Sequence, residues 1–484
     1  MTDKPPHATA VEIVRRLQTA GFSAFWVGGC VRDFLLGREP GDYDIATSAR
    51  PEQVEKLFKR TVAVGRKFGV MVVVESGQPF QVATYRAEAD YRDGRHPEQV
   101  AFGDAEADAQ RRDFTVNGLF YDPIAEKLHD WVGGEKDLRA KIIRTIGVPE
   151  ERFAEDHLRL LRAVRFAAQL GFEIEPQTFA AINRLAPKIE LISAERIRDE
   201  LIKLFAAPPS CPACIPDGRA GTPLPAAGVC GADGAHGVTR PTSSAARGLV
   251  LLLKSGLLPG VLPELVATMA CEQSPDFHPE GTVFEHIRLM LEKLPPNSHP
   301  SLPWAVILHD IAKPATAELD PVTGKIHFYG HEKVGAALAE RILTRLRFPK
   351  KQIEEIAACV RQHMQFKDVK QMRKATLRRL LLRKTFPLEL ELHRLDCLGS
   401  HGDLGHYEFL VEQAAELERK PAIRPPLLTG RDLIALGLQP GPALGALLAE
   451  IREKQLQDEL KTSRQARAWA KTKIKEAGKT PAKT

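Results

Sequence analysis

One stretch near the start of the chain, FWVGGCVRDFLLGREPGDYDIAT from Phe25 to Thr47, constrains the fold more than any other. Both of its ends are rich in the β-branched and aromatic residues that favour strands. Between them a glycine pair precedes a short run of helical character. This order predicts a strand, a tight turn, a helix and a second strand, and therefore a mixture of helix and sheet at the start of the chain.

The second of these strands is expected to carry Asp42 and Asp44, which are two residues apart. Residues i and i+2 of a strand face the same side, so the two carboxylates should converge. Such a pair suits Mg²⁺, which binds one or two carboxylates together with substrate phosphates. Gly28 and Gly29 allow close backbone approach to a phosphate, and Arg32 adds a positive charge. The pattern favours metal-dependent phosphoryl transfer over a plain turn with two surface aspartates.

Two later motifs combine carboxylates with arginines. RRDFTVNGLFYD, from Arg111 to Asp122, places two arginines, an aspartate and an asparagine in one compact element. ERFAEDHLRLLRAVRF places Asp156 and Arg159 three residues apart, which on a helix is one face. An acceptor beside an array of donors can read the edge of a base, but it can also form an intrahelical salt bridge. On the spacing alone, the salt bridge is favoured.

Size and composition limit the class of protein. The 484 residues are enough for several domains, and a net charge of +6 permits a nucleic-acid partner without demonstrating one. Seven cysteines do not form a disulfide framework in so long a chain. The sequence contains no signal-peptide pattern and no apolar run near the ~20 residues that span a bilayer. We therefore expect a cytoplasmic protein.

The distribution of residue types predicts four domains. We expect a head over 1–147, a helical neck over 148–266, a histidine-rich domain over 267–418 and a helical C-terminal region over 419–484. Within the neck, residues 206–248 are rich in Pro, Gly and Ala and predict a flexible insertion, because they offer too few large apolar side chains for a core.

Four residues of this insertion have metal-ligand character: Cys211, Cys214, Cys230 and His236. A zinc site needs four ligands, but the spacing here is irregular. We favour an incidental thiol pair in a loop.

Taken in order, the motifs resemble the class II CCA-adding tRNA nucleotidyltransferases and the bacterial poly(A) polymerases. The segments that carry the resemblance are VGGCVRDFLLGREPGDYDIAT, VGRKFGVMVVV, RRDFTVNGLFYDP, DWVGGEKDLRAKIIRTIG, RFAEDHLRLLRAVRFAAQLGF and LLTGRDLIALGLQPGPALG. The resemblance implies an α+β fold. Its small mixed-sheet nucleotidyltransferase head would be related to DNA polymerase beta and be followed by largely all-α domains.

The resemblance also implies a role for each motif residue. Asp42 and Asp44 would be the catalytic residues that bind Mg²⁺. The nucleotide would be bound by Gly28, Gly29 and Arg32 at its triphosphate, by Arg111, Asp113 and Asn117 at its sugar and phosphate, and by Asp156 and Arg159 at its base, with Arg162 nearby. The implied activity is template-independent addition of C, C and A from CTP and ATP to tRNA. The partner would be the 3′ end and the acceptor and T arms of the tRNA, with the C-terminal region binding RNA.

The sequence departs from the family pattern at Gln81, at His157 and in the insertion 206–248. Gln81 stands on the strand where many polymerase-beta-like enzymes carry a third acidic residue. The sequence therefore does not assign a third metal carboxylate.

The histidine-rich domain carries a second ordered set of ligand-type residues: His286, His309, Asp310, His331, His363 and Asp396. An adjacent His-Asp pair between an earlier His and a later Asp is the ligand order of HD-type metal phosphohydrolases. Imidazole and carboxylate together suit a divalent metal, and His331 and His363 would extend the site to a second ion. The resemblance implies hydrolysis of phosphoesters such as cyclic phosphates or damaged RNA ends, with a retained but idle site as the alternative.

Other functions stay open at the level of sequence. A poly(A) polymerase, or an enzyme that adds only A or only CC, shares these motifs, and VGRKFG at Val64–Gly69 has the basic pair seen near this point in poly(A) polymerases. A hydrolase with an inactive head and an RNA-binding protein with two decayed sites are further alternatives. The presence of Arg32, Asp42 and Asp44 argues against both.

Overall fold

The computed structural model describes residues 4–65, 69–87, 102–206, 243–274, 278–419 and 426–477. The chain divides into two compact units, the first over 1–267, 295–297 and 344–348 and the second over the remainder. The insertion residues Cys211, Cys214, Cys230 and His236, and the basic pair Arg66 and Lys67, lie outside the described residues. Among those described, no helix combines the length and the apolar character needed to cross a membrane. The division into four domains stays a prediction.

The first unit begins with a mixed sheet. Its strands are β1 (Ala24–Val27), β2 (Asp44–Thr47), β3 (Thr61–Gly65), β4 (Val70–Glu75), β5 (Gln78–Thr84), β6 (Phe120–Asp122) and β7 (Lys127–His129). Their order across the sheet is β3-β4-β5-β2-β1-β6-β7. β2 and β5 are parallel, with Asp44 opposite Gln81, and the other neighbours are antiparallel. The strands predicted at β1, at β2 and around Gln81 (β5) are present, whereas β3, β6 and β7 were missed.

Five helices accompany this sheet. They are α1 (Pro6–Thr19), α2 (Gly29–Leu35), α3 (Pro51–Leu57), α4 (Ala105–Gln110) and α5 (Gly134–Ala140). The predicted succession of strand, turn, helix and strand is present as β1, Gly28, α2 and β2. One detail is wrong, because the backbone bends at Gly41 and Asp42 and the strand begins only at Asp44. Asp42 therefore approaches Asp44 from the preceding bend.

The rest of the first unit is mainly helical. Its helices are α6 (Pro149–Glu155), α7 (Leu158–Leu170), α8 (Pro176–Leu185), α9 (Ala194–Phe205), α10 (Ser244–Lys254) and α11 (Leu258–Val261), with a small parallel pair of strands, β8 (Ile142–Ile143) and β9 (Glu173–Ile174). The predicted end of the insertion at Gly248 is wrong, because α10 already begins at Ser244. Ser243 caps this helix by accepting the Ala246 N–H. A Cβ on Gly248 would lie 2.6 Å from a methyl carbon of Leu204, so glycine allows α10 to pack closely on α9.

The second unit is also mostly helical. Its helices are α12 (Val283–Glu292), α13 (Leu302–Leu308), α14 (His331–Arg345), α15 (Lys350–Gln362), α16 (Lys374–Leu381), α17 (Phe386–Gly399), α18 (Gly405–Arg419), α19 (Gly430–Ala435), α20 (Pro442–Leu456) and α21 (Ser463–Ala477). The domains after the head were expected to be largely all-α, and β10 (Ala317–Leu319) and β11 (Ile326–Phe328) form an antiparallel hairpin among these helices. A mixed-sheet head followed by a helix-rich remainder confirms the predicted α+β class.

Basic residues of α16 form ion pairs within the second unit. Lys374 and Arg378 both pair with Asp458, at 2.5 and 3.0 Å. Arg379 pairs with Glu453 of α20 at 2.8 Å. These positive charges therefore join α16 to the C-terminal helices.

Candidate active sites

The glycine turn of the head requires its glycine. Gly28 has a φ of 74°, a backbone conformation that residues with a side chain rarely adopt. Its N–H donates to the Leu119 carbonyl at 3.2 Å, which fixes the turn against the sheet. A Cβ at this position would lie 2.9 Å from Nη1 of Arg112. The turn thus lets Arg112 lie directly against the backbone, just before Gly29 begins α2.

Asp42 and Asp44 form an acidic pair beside this turn. Asp42 is exposed and Asp44 is half-buried. Burial raises the pKa of Asp44, the charge of Asp42 raises it further, and Arg112 opposes this only in part. In the described part of the chain neither carboxylate has an ion-pair partner. Two repelling oxygen donors without a counter-ion fit a divalent cation such as Mg²⁺.

A chain of polar contacts leads away from the turn. Arg32 Nη1 donates to Asn117 Oδ1 at 2.7 Å, and Asn117 Nδ2 donates to Asp113 Oδ1 at 3.1 Å. The other oxygen of Asp113 accepts from Nε and Nη2 of Arg162, at 2.8 and 2.6 Å. One network therefore links four of the predicted site residues: Arg32, Asn117, Asp113 and Arg162. This network joins α2 of the head to α7.

The two arginines of the RRD motif have different positions. Arg111 donates to the Asp108 carboxylate and to the Arg86 carbonyl, so its contacts hold the head together. Arg112 donates to the other oxygen of Asp108 at 3.0 Å and lies beside Gly28. Burial raises the pKa of Asp108, but Arg112 and Arg111 outweigh it, so this pKa lies below its ordinary value. Arg112, which the prediction omitted, is thus closer to the glycine turn than Arg111.

Asp156 and Arg159 do not form the expected pair on one helix. The backbone at Asp156 is extended, with φ −151° and ψ 102°, and it separates α6 from α7. Asp156 accepts from the Leu158 N–H at 3.1 Å and from Arg196 at 2.6 Å. Arg159 instead donates to Glu155 at 2.5 Å and to the Arg152 carbonyl at 2.9 Å. The helical pairing was wrong because a helix break lies between the two motif residues.

The predicted ligands of the second unit do come together. Asp310, His331 and His363 form one group of metal-ligand atoms, and His286, His309 and Asp396 form another. His309, His331 and His363 each direct Nδ1 at a backbone carbonyl, at 2.8, 2.7 and 2.7 Å. A carbonyl only accepts, so Nδ1 carries the proton and the Nε2 lone pair faces inward, as in metal-binding histidines.

The Nε2 atoms and the carboxylate oxygen that face inward are suited to binding cations. Nε2 of His331 lies 3.1 Å from Nε2 of His363, so two lone pairs face each other. Asp310 Oδ1 lies 3.4 and 3.6 Å from these nitrogens and has no hydrogen bond, although it is buried. Nε2 of His309 is likewise buried without a hydrogen bond. Buried acceptors that lack donors fit divalent metal ions, and Asp310 lies between the two groups.

His286 shows the same preference for positive charge. Burial lowers its pKa, but the neighbouring carboxylates of Asp396 and Glu280 outweigh this and raise the pKa to about 9. Glu280 was missed by the sequence reading, as were His278 and Lys313 in the same site. Lys313 was adjacent to a recognised motif, whereas His278 and Glu280 offered no spacing signal.

A cavity of about 650 Å³ opens onto these ligands. One wall comes from the hairpin β10–β11 and the residues after it, including Lys325, His327 and Tyr329. The rings of His327 and Tyr329 are stacked at a centroid distance of 5.3 Å, and Tyr329 is 71% exposed. Lys367 lines the cavity as well. The cavity thus combines a candidate two-metal centre with cationic and aromatic side chains.

Comparison with known families agrees with both sites. Residues 24–144 match the poly(A) polymerase head domain, and residues 282–398 match the HD domain. Residues 171–212 match a domain described as "Probable RNA and SrmB- binding site of polymerase A". The CCA-adding enzyme of Geobacillus kaustophilus (strain HTA426) is 47% identical over 206 residues. This chain thus resembles poly(A) polymerases over its head domain and CCA-adding enzymes over 206 residues.

The extent of these similarities differs between sequence and structure. The Geobacillus alignment covers 42% of this chain and 51% of the relative, and one with the Staphylococcus aureus (strain MRSA252) CCA-adding enzyme, at 45% identity over 204 residues, covers the same shares. The chain thus aligns with about half the length of these curated relatives. A Bacillus stearothermophilus CCA-adding enzyme, solved in complex with CTP, superposes over 98% of this chain and 99% of its own at a TM-score of 0.68 and 27% identity. A Thermotoga maritima CCA-adding enzyme complexed with tRNA shares the fold, with a TM-score of 0.53, 17% identity and coverage of 98% and 97%.

Proposed function

We propose that this chain is a CCA-adding tRNA nucleotidyltransferase, which transfers CMP, CMP and AMP from CTP and ATP to the 3′ end of tRNA. The observation that carries the proposal is the joint geometry of the head. A glycine turn at positive φ, two carboxylates that form no ion pair with the described residues, and a continuous network from Arg32 to Arg162 lie in the first unit, in the order of the family motifs. A cytoplasmic location is part of this proposal.

The chemistry follows from these residues. Asp42 and Asp44 would hold Mg²⁺, which neutralises charge on the reacting phosphate when it is bound. Gly28 and Gly29 let the triphosphate approach the backbone, and Arg32 and Arg112 offer guanidinium groups to it. Arg32 is held on its other side by Asn117, so its position is fixed before the nucleotide arrives.

Base selection would rest on the junction between α6 and α7. Asp156 offers acceptors and Arg159 offers donors, and hydrogen bonds of this type discriminate cytosine and adenine by their edges. Both side chains have protein partners in this structure, Arg196 and Glu155 respectively. The nucleotide would therefore compete with these partners or share the side chains with them.

We propose a second activity for the HD domain, the metal-dependent hydrolysis of a phosphoester at the end of an RNA or nucleotide. The two groups of ligands that share the cavity would hold two divalent ions, which polarise the phosphate and its attacking water when bound. The cationic and aromatic wall of the cavity favours a substrate with both phosphate and planar rings. The carrying observation is the set of inward-facing Nε2 atoms and the orphaned Asp310 oxygen.

The decisive experiment measures incorporation of labelled CTP and ATP with Mg²⁺. The substrates are tRNA without CCA, tRNA ending in CC, and an unrelated RNA of equal length. Addition of CCA that is confined to tRNA supports the proposal. Long A-tails on every RNA would make the protein a poly(A) polymerase, and A added only after CC would make it a partial enzyme. No addition with any substrate would refute the head activity.

The HD activity needs its own controls. We would measure ring opening of 2′,3′-cyclic RNA ends to 2′- or 3′-monophosphates, and phosphate release from 3′-phosphorylated ends, with Mn²⁺, Ni²⁺ or Mg²⁺, and compare the Asp310→Ala and Asp42→Ala variants. Loss of hydrolysis with Asp310→Ala alone supports an HD hydrolase. Equal hydrolysis by both variants and the unchanged protein would indicate a contaminant and refute the assignment.

A further inference from the structure

A buried carboxylate outside the six predicted ligands touches two histidines of the HD centre. Oε1 of Glu280 lies 2.6 Å from Nδ1 of His286 and 2.9 Å from Nδ1 of His278. The side chain of Glu280 is 5% exposed and that of His286 is fully buried. Burying a carboxylate costs desolvation free energy, which hydrogen bonds to the carboxylate offset.

These three side chains also have the arrangement of a small metal site. The distances argue for another interpretation. Oε1 of Glu280 accepts from both Nδ1–H groups at hydrogen-bond distance, which satisfies these three atoms without a cation, whereas Oε2 is buried without a hydrogen bond. Nε2 of His286 lies 3.1 Å from Asp396 Oδ1, where a proton in the metal-free protein, or a cation in its place, joins the two groups. The cation therefore belongs on the Asp396 side of the ring, and Glu280 belongs behind it.

The loop that carries Glu280 also carries Gln273, which contacts Asp310 of the metal centre through Lys313. Gln273 Oε1 accepts from Lys313 Nζ at 2.6 Å, and Lys313 Nζ lies 2.7 Å from Asp310 Oδ2. The two described parts of the loop, 271–274 and 278–283, are tied to each other by backbone hydrogen bonds. Val283 N–H donates to Cys271 at 2.9 Å, and Gln273 N–H donates to Gly281 at 3.2 Å. Both contacts to the centre thus come from one closed loop.

We propose that this loop positions the metal ligands of the HD domain. Glu280 fixes the tautomer and the rotation of His286, and Gln273 fixes Asp310 through Lys313. Both are positioning residues, since each acts through another side chain. The proposal rests on the proposed two-metal function of the same site. Partners of this kind typically change metal affinity 10–100-fold when they are removed.

The test measures metal binding rather than catalysis. Full-length, metal-free protein carrying Asp42→Asn and Asp44→Asn is titrated with Mn²⁺ by calorimetry, so that the head does not contribute. Into this background we introduce Glu280→Ala, Glu280→Gln and, as a matched control, Glu285→Gln. Glu285 precedes His286 on α12, and its carboxylate pairs with Arg288 at 2.6 Å. Near-ultraviolet circular dichroism compares the folding of all variants.

We expect Glu280→Ala to weaken Mn²⁺ binding about 10–100-fold at unchanged stoichiometry. Glu280→Gln, whose amide oxygen still accepts a hydrogen bond, should lose less, and Glu285→Gln should bind as the background does. Unchanged affinity in a folded Glu280→Ala protein overturns the inference. So does the loss of one ion with the remaining ions unaffected, which would make Glu280 a ligand of a third site.

A His309→Ala variant separates this inference from the proposal on which it rests. If His309→Ala abolishes binding while Glu280→Ala changes nothing, the metal centre stands and the positioning role fails. If the background protein binds no Mn²⁺, both fail together.

Discussion

The bridge between Asp113 and Arg162 permits a quantitative prediction about the head and neck. Asp113 is buried and accepts two hydrogen bonds from Arg162, at 2.8 and 2.6 Å. Removing one partner of a buried ion pair costs about 3–5 kcal/mol. The Arg162 side chain is 32% exposed and lies 3.7 Å from Glu200, so part of its charge stays compensated. We therefore expect Asp113→Ala to lower the free energy of unfolding of the first unit by about 3 kcal/mol.

A double-mutant cycle with Arg162→Ala isolates the pair. Coupling energies between contacting charged residues reach about 0.5–3 kcal/mol, and we expect about 2 kcal/mol here. Native-state hydrogen exchange of peptides from β2 and β5, read by mass spectrometry, reports the first unit alone. The control cycle pairs Glu135→Ala with Arg139→Ala, an ion pair of the same unit whose side chains are 43% and 78% exposed. That pair should couple by about 0.5 kcal/mol or less.

The direction of the pKa shift of Asp113 determines how the coupling energy changes with pH. Burial raises the pKa of Asp113, but Arg162 and Asn117 outweigh it, so this pKa lies below its ordinary value. Its contribution to stability is therefore complete at neutral pH and is lost as the pH falls below about 4. A coupling below about 0.5 kcal/mol at pH 7, equal to that of the control pair, would refute the bridge as the link between head and neck.

Three further outcomes follow from the sites. Asp42→Ala should reduce nucleotide addition at least about 100-fold and leave tRNA binding by filter retention unchanged, because it removes a metal ligand and no RNA contact; retained addition would contradict the metal role. Asp156→Ala should narrow the discrimination between CTP and ATP, measured as the ratio of their kcat/KM values, by about 10-fold or more; an unchanged ratio would remove Asp156 from base selection. Asp310→Ala should abolish phosphoester hydrolysis while nucleotide addition proceeds normally, and a folded variant that loses addition would show that the two activities depend on each other.

The opening stretch could be predicted because its signals are local. The strand residues of β1, the glycine turn and α2 all occur within Phe25–Thr47, and the structure has them in that order. The prediction failed where long-range pairing decides. β6 is only three residues long, and it forms because it pairs with β1 on one side and β7 on the other. No local pattern distinguishes such a strand from a loop.

The candidate sites show the same contrast between local signals, which could be predicted, and long-range contacts, which could not. The six HD ligands have a recognisable order, and the structure brings them together. The break between α6 and α7 at Asp156 was not predicted. Asp156 accepts there from the Leu158 N–H, two residues later, and from Arg196, 40 residues later in the chain. Arg112 lies within a recognised motif, but only the fold shows that it, rather than Arg111, lies against Gly28.

The acidic pair of the head and the ligand cluster of the HD domain differ in how deeply their metal-binding atoms are buried. This difference predicts how each site responds to metal removal. In the head, Asp42 is exposed and Asp44 is half-buried, so water can solvate the carboxylates when no ion is bound. In the HD domain, Asp310 Oδ1 and the Nε2 atoms of His309 and His286 are buried without a hydrogen bond. Since an unsatisfied buried polar group costs about 1–3 kcal/mol, metal binding should stabilise the second unit far more than the first. A chelator should therefore lower the unfolding temperature of the second unit alone, and an equal shift in both units would contradict this account of the HD centre.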